Sequence, residues 1–384
     1  MPPPSKMKLL QVGASWFPYQ FSGLERYFAE LVLHLPALDS EVVAVVSELQ
    51  NPSKVEGLTL VSFGTEKKTL LRKFLDQRRI LKDCLHNPID LVVSHCSPAL
   101  FSSLKHLGDK PLICHFHGPR YLERIDEGAN AMSVQVSKFV EHKVYERGQH
   151  FITLSQYMKD VLMRNYAVPE AKISVVPGGV NLEQFRSYSS RHEVRIELKL
   201  PLDRPIVLAV RRLVRRMGLY NLIVAMRDVV RTNPDVLLLI AGKGTLEHGL
   251  EGYIKSNGLS AHVRMLGAIP DKVLPLLYRA ADFCIVPTVS LEGFGLILLE
   301  ALAAGTPVLG TPVGGIPEVL APLLESLLLE STSPQHIGEG IREVLSGRRI
   351  LPSMQTCEAY AANYGWPTIT RRVHAVYCNV LNGR

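Results

Sequence analysis

The sequence predicts an α/β protein built from two doubly wound parallel sheets. Three observations carry that expectation. Short β-branched runs alternate with amphipathic stretches from one end of the chain to the other. The runs are apolar without alternation, as in strands covered by helices on both faces. The 384 residues give room for two domains of ordinary size.

Taken in order, strands are expected at Lys8–Gly13, Val42–Ser47, Leu58–Phe63, Asp90–His95, Pro111–His115, Phe151–Leu154 and Ile173–Val176. Amphipathic stretches at Leu24–Leu38 and Leu70–Leu85 read as helices between them. A second series runs Pro205–Val210, Val236–Ala241, Val263–Leu266, Phe283–Val286 and Pro307–Gly310, with helices at Gly218–Arg231 and Gly295–Ala304. The segment Asn181–Arg204 is polar and patternless and reads as the interdomain linker. The expected domains are therefore 7–182 and 205–365, with residues 1–6 a loose tail. Ligands of open parallel sheets bind beyond the carboxyl ends of the strands, so two facing sheets would create a cleft between them.

Composition excludes several classes. Hydrophobic residues make up 47% and charged residues 21%, far from a disordered profile. No run near twenty residues is free of charge, so no membrane span is expected, and the start lacks a signal-peptide core. The six cysteines form no Cys-x-x-Cys pair, and several lie in apolar runs, which suits reduced thiols in a cytoplasm. The formal charge of +7 is modest for this length and gains meaning only once located.

The strongest chemical signal is Ser290-Leu-Glu-Gly-Phe-Gly-Leu-Ile-Leu-Leu-Glu300, with seven residues between Glu292 and Glu300 across a strand-to-helix turn. Gly293 and Gly295 let backbone approach a ligand, and the N–H groups of Phe294, Gly295 and Leu296 stand at a helix start that favours anions. Glu300 is placed to accept from a diol. Next, Arg211, Arg212, Arg215 and Arg216 cluster after a strand, a set of forked donors able to neutralise a diphosphate. Third, Cys114-His-Phe-His-Gly-Pro119 ends a strand, and alternation points His115 and His117 to one face. His117, nearer the loop, is the expected active-site residue. The pair could also ligate a metal, but the sequence offers no third acid or thiol nearby. At the first strand–helix turn, Phe21-Ser-Gly-Leu-Glu-Arg-Tyr27 puts Gly23 at a helix start, with or without a ligand. Gly242-Lys-Gly244 lacks the third glycine of a dinucleotide fingerprint, which argues against a nicotinamide enzyme. None of the twelve aspartates has another two positions away, so no Asp-x-Asp metal clamp is present.

Residues 66–85 carry seven basic side chains, with Leu70, Leu71, Phe74, Leu75, Leu81 and Leu85 at helical spacing. Such a helix either packs its apolar face on its own sheet or lies on an anionic membrane surface. Nucleic acid fits less well, because no groove-reading motif accompanies the charge.

Together these motifs, with Pro177–Asn181, Ala241–Leu246 and Val313-Gly-Gly-Ile-Pro-Glu318, resemble a family 4 retaining glycosyltransferase of the GT-B fold. The likeness runs from Met7 through the final helix. It implies that the second domain binds a UDP- or GDP-type nucleotide sugar and the first an acceptor, with no cofactor and no metal. Glu292 would contact sugar hydroxyls, Gly293 through Leu296 the sugar or phosphate, Glu300 the ribose and Arg212 the diphosphate. His117 would position the transferred sugar and acceptor; Gly23 falls with the donor, and Glu25 and His115 with the acceptor. One departure stands out: Met217 occupies the place where the family has a lysine, leaving Arg216 or Arg211 as the expected substitute. The helix 366–382 would cross back onto the first domain. The implied activity is retaining hexosyl transfer to a saccharide or lipid-linked acceptor, in polysaccharide or glycolipid synthesis; the expected location is cytoplasmic, with peripheral contact to the inner membrane face through 66–85 left open. A nucleotide-sugar epimerase and a non-catalytic donor-binding or membrane-associated module are the alternatives.

Overall fold

The computed structural model describes residues 6–17, 22–47, 55–64, 70–186 and 189–383. The expected tail at 1–5, Phe21, and the start of the basic segment at 66–69 lie outside these. The chain divides into two compact units, Met1–Gly179 with Trp366–Arg384, and Val180–Gly365.

The first unit holds a seven-stranded parallel sheet. Its strands are β1 (Met7–Val12), β2 (Ser40–Val46), β3 (Leu58–Ser62), β4 (Leu91–Ser94), β5 (Leu112–Phe116), β6 (His150–Thr153) and β7 (Ile173–Val175). Their order is β3-β2-β1-β4-β5-β6-β7, so the winding reverses between β1 and β4. Strands β4 and β5 are buried at every position, as the unbroken apolar runs required. One face is packed by helices Leu70–His86, Ala131–Arg147 and Gln156–Tyr166, whose Leu81, Leu85, Val144, Tyr145, Met158 and Leu162 share a core with Leu10, Val12, Val92 and Leu112. The final helix, Trp366–Asn382, packs against Gly23–His34.

The second unit holds β8 (Ile206–Val210), β9 (Leu237–Ala241), β10 (Val263–Gly267), β11 (Phe283–Val286) and β12 (Val308–Gly310), in the parallel order β10-β9-β8-β11-β12. Here the winding reverses between β8 and β11. The chain enters and leaves this unit side by side, where the Val180 N–H donates to the Tyr364 carbonyl at 2.9 Å.

The expected linker at 181–204 is corrected by this arrangement. Leu182–Phe185 and Arg191–Glu197 are helical and belong to the second unit. Ser190 and Glu193 form a reciprocal capping box at the start of the latter helix, a Ser-x-x-Glu signal that the polarity of the segment obscured. Arg195 is buried, with Nη2 2.8 Å from Asp282 Oδ2 and Nε donating to the Ala280 carbonyl at 2.9 Å. A charged residue in a patternless stretch resembles a linker until its partner, 87 residues away, is brought to it. Among the described residues, no helix is long and apolar enough to cross a membrane.

Candidate active site

In an open parallel sheet the winding reversal leaves a crevice beyond the strand ends. Both units place a buried polar cluster at that point.

In the second unit, Arg211 follows β8 and Thr288 and Glu292 follow β11. Arg211 Nη2 donates to both Glu292 Oε2 and Thr288 Oγ1, and the Thr288 hydroxyl also reaches Glu292 Oε2 at 3.3 Å. Thr288 is fixed in turn by Thr311, whose hydroxyl donates to its carbonyl at 2.6 Å. Arg216 Nη1 donates to the Leu291 carbonyl at 3.0 Å. Arg211, Arg216 and Glu292 are all buried. Burial opposes ionisation of Glu292, but the charge and hydrogen bond of Arg211, aided by Arg216 and Thr288, outweigh it and hold the carboxyl below its ordinary range. Arg211 Nε is buried with no hydrogen-bond partner among the described residues.

Two glycines let the loops come this close. A Cβ on Gly242, at φ 142°, would strike the Arg211 carbonyl, and one on Gly314, at φ 61°, would strike that of Glu292. The weak Gly242-Lys-Gly244 and Val313–Glu318 motifs therefore act as backbone seats for the two charged residues. Gly293 and Phe294 lead to Gly295, which caps helix Leu296–Ala303. Glu300 is buried on that helix, and Oε2 accepts from the Tyr278 hydroxyl at 3.0 Å.

In the first unit, three imidazoles stack. His95 follows β4, His115 lies in β5 and His117 follows it, with rings within 20–25° of parallel. His95 Nε2 lies 3.0 Å from Gln11 Oε1 of β1, and its Nδ1 3.4 Å from His117 Nε2. His115 is bracketed by hydroxyls, Nδ1 3.2 Å from Tyr27 and Nε2 2.9 Å from Tyr377. Burial lowers all three titrations, reinforced for His95 and His115 by their neighbouring imidazoles; His117 is pushed down to about 4. All three are neutral at pH 7.

Several expectations meet this geometry. His115 and His117 do share a face, but His115 is only 3% exposed and both nitrogens face tyrosine hydroxyls. It braces the stack between two tyrosine hydroxyls. Glu25 is likewise buried and accepts from the hydroxyl of Ser22, which caps the helix by accepting from the Leu24 N–H at 3.2 Å. Gly23 is the exposed first residue of that helix. Arg212 and Arg215 are exposed, whereas Arg211 and Arg216 reach the Glu292 loop. Met217 is buried.

The sequence offers no third acid or thiol near His115 and His117, but the fold brings a third imidazole to them. His95, His115 and His117 bring one ring nitrogen each within 4.8 Å of one another. The near-parallel rings and the hydroxyls on both sides of His115 describe a hydrogen-bonded stack rather than lone pairs converging on an ion. A signal for His95 existed: it ends the neighbouring strand at the level of His115, since Ser94 pairs with Cys114.

Comparison with known proteins fits this division. Residues 21–184 match the Glycosyltransferase Family 4 model, and residues 190–364 match that of Glycosyl transferases group 1. Together the two matches cover most of the chain, and its fold is that shared by the GT-B glycosyltransferases. Among these it is 32% identical over 248 residues to a D-inositol 3-phosphate glycosyltransferase of Segniliparus rotundus, covering 63% of this chain and 55% of that protein. The chain thus spans little more than half the length of that relative. Solved GT-B structures share the fold at lower identity. Sucrose-phosphate synthase from Thermosynechococcus elongatus superposes with a TM-score of 0.83 at 20% identity, over 99% of this chain and all of that one. Anabaena HepE in complex with UDP-glucose gives 0.77 at 18%, over 97% and 100%.

Proposed function

We propose that this GT-B glycosyltransferase moves a hexosyl unit from a nucleotide-diphosphate sugar to an acceptor hydroxyl, with retention at the anomeric carbon. The observation that carries the reading is the buried Arg211–Thr288–Glu292 cluster at the winding reversal of the second sheet, with Arg216 beside it. Its charges are held ready in a site shielded from water, where they act more strongly than in solution.

The donor diphosphate is bound by Arg211 and Arg216, in place of the lysine that Met217 displaces, and by the start of helix Leu296–Ala303. Glu292 accepts from a sugar hydroxyl and Glu300 from the ribose. A departing diphosphate gains charge as the glycosidic bond breaks, and the arginines stabilise that charge. With Glu292 given to a sugar hydroxyl and His117 to positioning, the leaving oxygen takes the acceptor proton on the face it departs from, which accounts for retention. A neutral His117 in the first unit positions the incoming sugar and acceptor. With arginines for the diphosphate and no Asp-x-Asp clamp, the step needs no metal and should persist in chelator.

The HepE structure holds UDP-glucose and the Segniliparus relative is named for an inositol phosphate. By that likeness the donor is a uridine or guanosine diphosphate sugar, and the acceptor a saccharide or a lipid-linked or phosphorylated polyol. A thermal-shift screen of nucleotide sugars identifies the donor, because bound ligand stabilises by mass action. Glu292→Gln should lower turnover about 100-fold or more while the fold persists; unchanged turnover removes the central claim. An inverted anomer in the product, read by proton NMR, removes retention.

A further inference from the structure

Among the described residues the first unit exposes six large apolar side chains: Phe74, Leu75, Ile125, Met132, Val136 and Phe139. All six sit on helices Leu70–His86, Arg120–Asp126 and Ala131–Arg147. The first and last of these cover the same sheet face, since Leu81, Leu85, Val144 and Tyr145 share one core. The short helix Ser97–Phe101 joins them: Gln77 Nε2 donates to the Ala99 carbonyl at 2.5 Å, and Phe101 meets Phe139 edge-on at 6.1 Å. Arg120–Asp126 packs on Ala131–Arg147.

Met132, Val136 and Phe139 recur at i, i+4 and i+7, the spacing of a stripe that a helix normally buries. This helix already buries another side, through Val134, Ser137, Glu141, Val144 and Tyr145. The stripe is turned outward, 78%, 58% and 54% exposed. On the neighbouring helix Leu75, 52% exposed, stands among exposed Arg72, Arg78, Arg79 and Lys82. Apolar side chains beside a cationic helix face fit the boundary between lipid head groups and acyl chains. A two-fold contact with a second copy would set this basic face against itself.

We propose that the outer surface of Leu70–His86 and Ala131–Arg147 docks on an anionic lipid bilayer. Leu75, Met132, Val136 and Phe139 enter the head-group boundary, and the arginines and lysine lie among the phosphates with their stems along the apolar layer. This goes beyond the transfer reading and does not rest on it.

The test is co-sedimentation of the full chain with vesicles of phosphatidylcholine, alone or with about a third phosphatidylglycerol, at moderate salt. Binding is expected only with the anionic lipid and should weaken as salt rises. Arg78→Glu with Arg79→Glu and Lys82→Glu, and separately Met132→Ser with Val136→Ser and Phe139→Ser, should each lower it about tenfold or more. All six positions are exposed, and unchanged circular dichroism and unfolding midpoint confirm that the variants fold. Equal binding to neutral vesicles, no binding to anionic ones, or parental binding by both variants overturns the proposal. So does a parental dimer in sedimentation equilibrium that the serine variant dissolves, which assigns the stripe to a second copy.

Discussion

The two winding reversals solve one physical problem in opposite ways. Each buries titratable side chains beyond the ends of its central strands. Around the histidine stack of the first unit the partners are hydroxyls and an amide, Tyr27, Tyr377 and Gln11, and burial keeps the imidazoles neutral. In the second unit burial pushes Glu292 toward neutrality too, but Arg211 stands against it and the charged form prevails. Desolvation acts in the same sense at both sites; the partner decides which state survives.

The largest break in this contrast should come from Arg211→Met. It leaves the Glu292 carboxylate buried without its main counter-charge, which should cost the second unit about 3–5 kcal/mol and raise the Glu292 titration. Hydrogen exchange of β8 and β11 amides reads the loss. A loss below about 1 kcal/mol would mean that Arg216 already holds Glu292.

Acid sharpens the comparison next. The stacked histidines titrate lower folded than unfolded, so the unfolded chain binds more protons as pH falls below about 6.5. Their contribution is complete above that value and is lost as pH drops toward the folded titration of His117 at about 4. His117 alone should account for roughly 1–3 kcal/mol. The Glu292 pair keeps its contribution through this window and loses it only as pH falls below the ordinary carboxylate range. The protein has two tryptophans, and both Trp16 and Trp366 lie buried in the first unit, so their fluorescence follows that unit alone. Denaturant midpoints should fall between pH 7 and 4, and His117→Asn should flatten part of the fall. A pH-independent midpoint would end the neutral-stack reading.

The smallest effect is expected from Tyr377→Phe. It removes the hydroxyl facing His115 and Gln11, at about 1–2 kcal/mol, and tryptophan fluorescence should register it. The second unit should be unaffected; an equal change in its hydrogen exchange would show that the two clusters are coupled.

Much of this is legible in the sequence itself. The twelve strands among the described residues are legible to within a residue or two, because a strand covered on both faces must be apolar throughout and little else in the chain is. Glu292, Glu300 and the arginine cluster were visible as charges set among small residues at strand ends. Which arginine turns inward was not. Arg211 and Arg212 are adjacent and chemically alike, and it takes long-range contacts, such as the Arg211 N–H donating to the Ala241 carbonyl and the Leu213 N–H to the Lys243 carbonyl, both at 2.9 Å, to fix how the strand leaves the sheet. Leu75 and Met132 show the converse limit, since helical spacing marks a stripe without saying whether anything covers it.

By itself the sequence determined the two α/β units, the order of their elements and the acidic and basic residues at the strand ends, because each follows from local periodicity and covalent spacing. Tertiary structure alone decided that Arg195 belongs to a packed unit, that His95 completes an imidazole stack capped by a tyrosine from the last helix, and that Arg211 meets Glu292. Those outcomes depend on contacts across 84 to 262 residues of chain in the first unit and 81 to 87 in the second. Charge states at such distances are set by the three-dimensional neighbour, which no local pattern encodes.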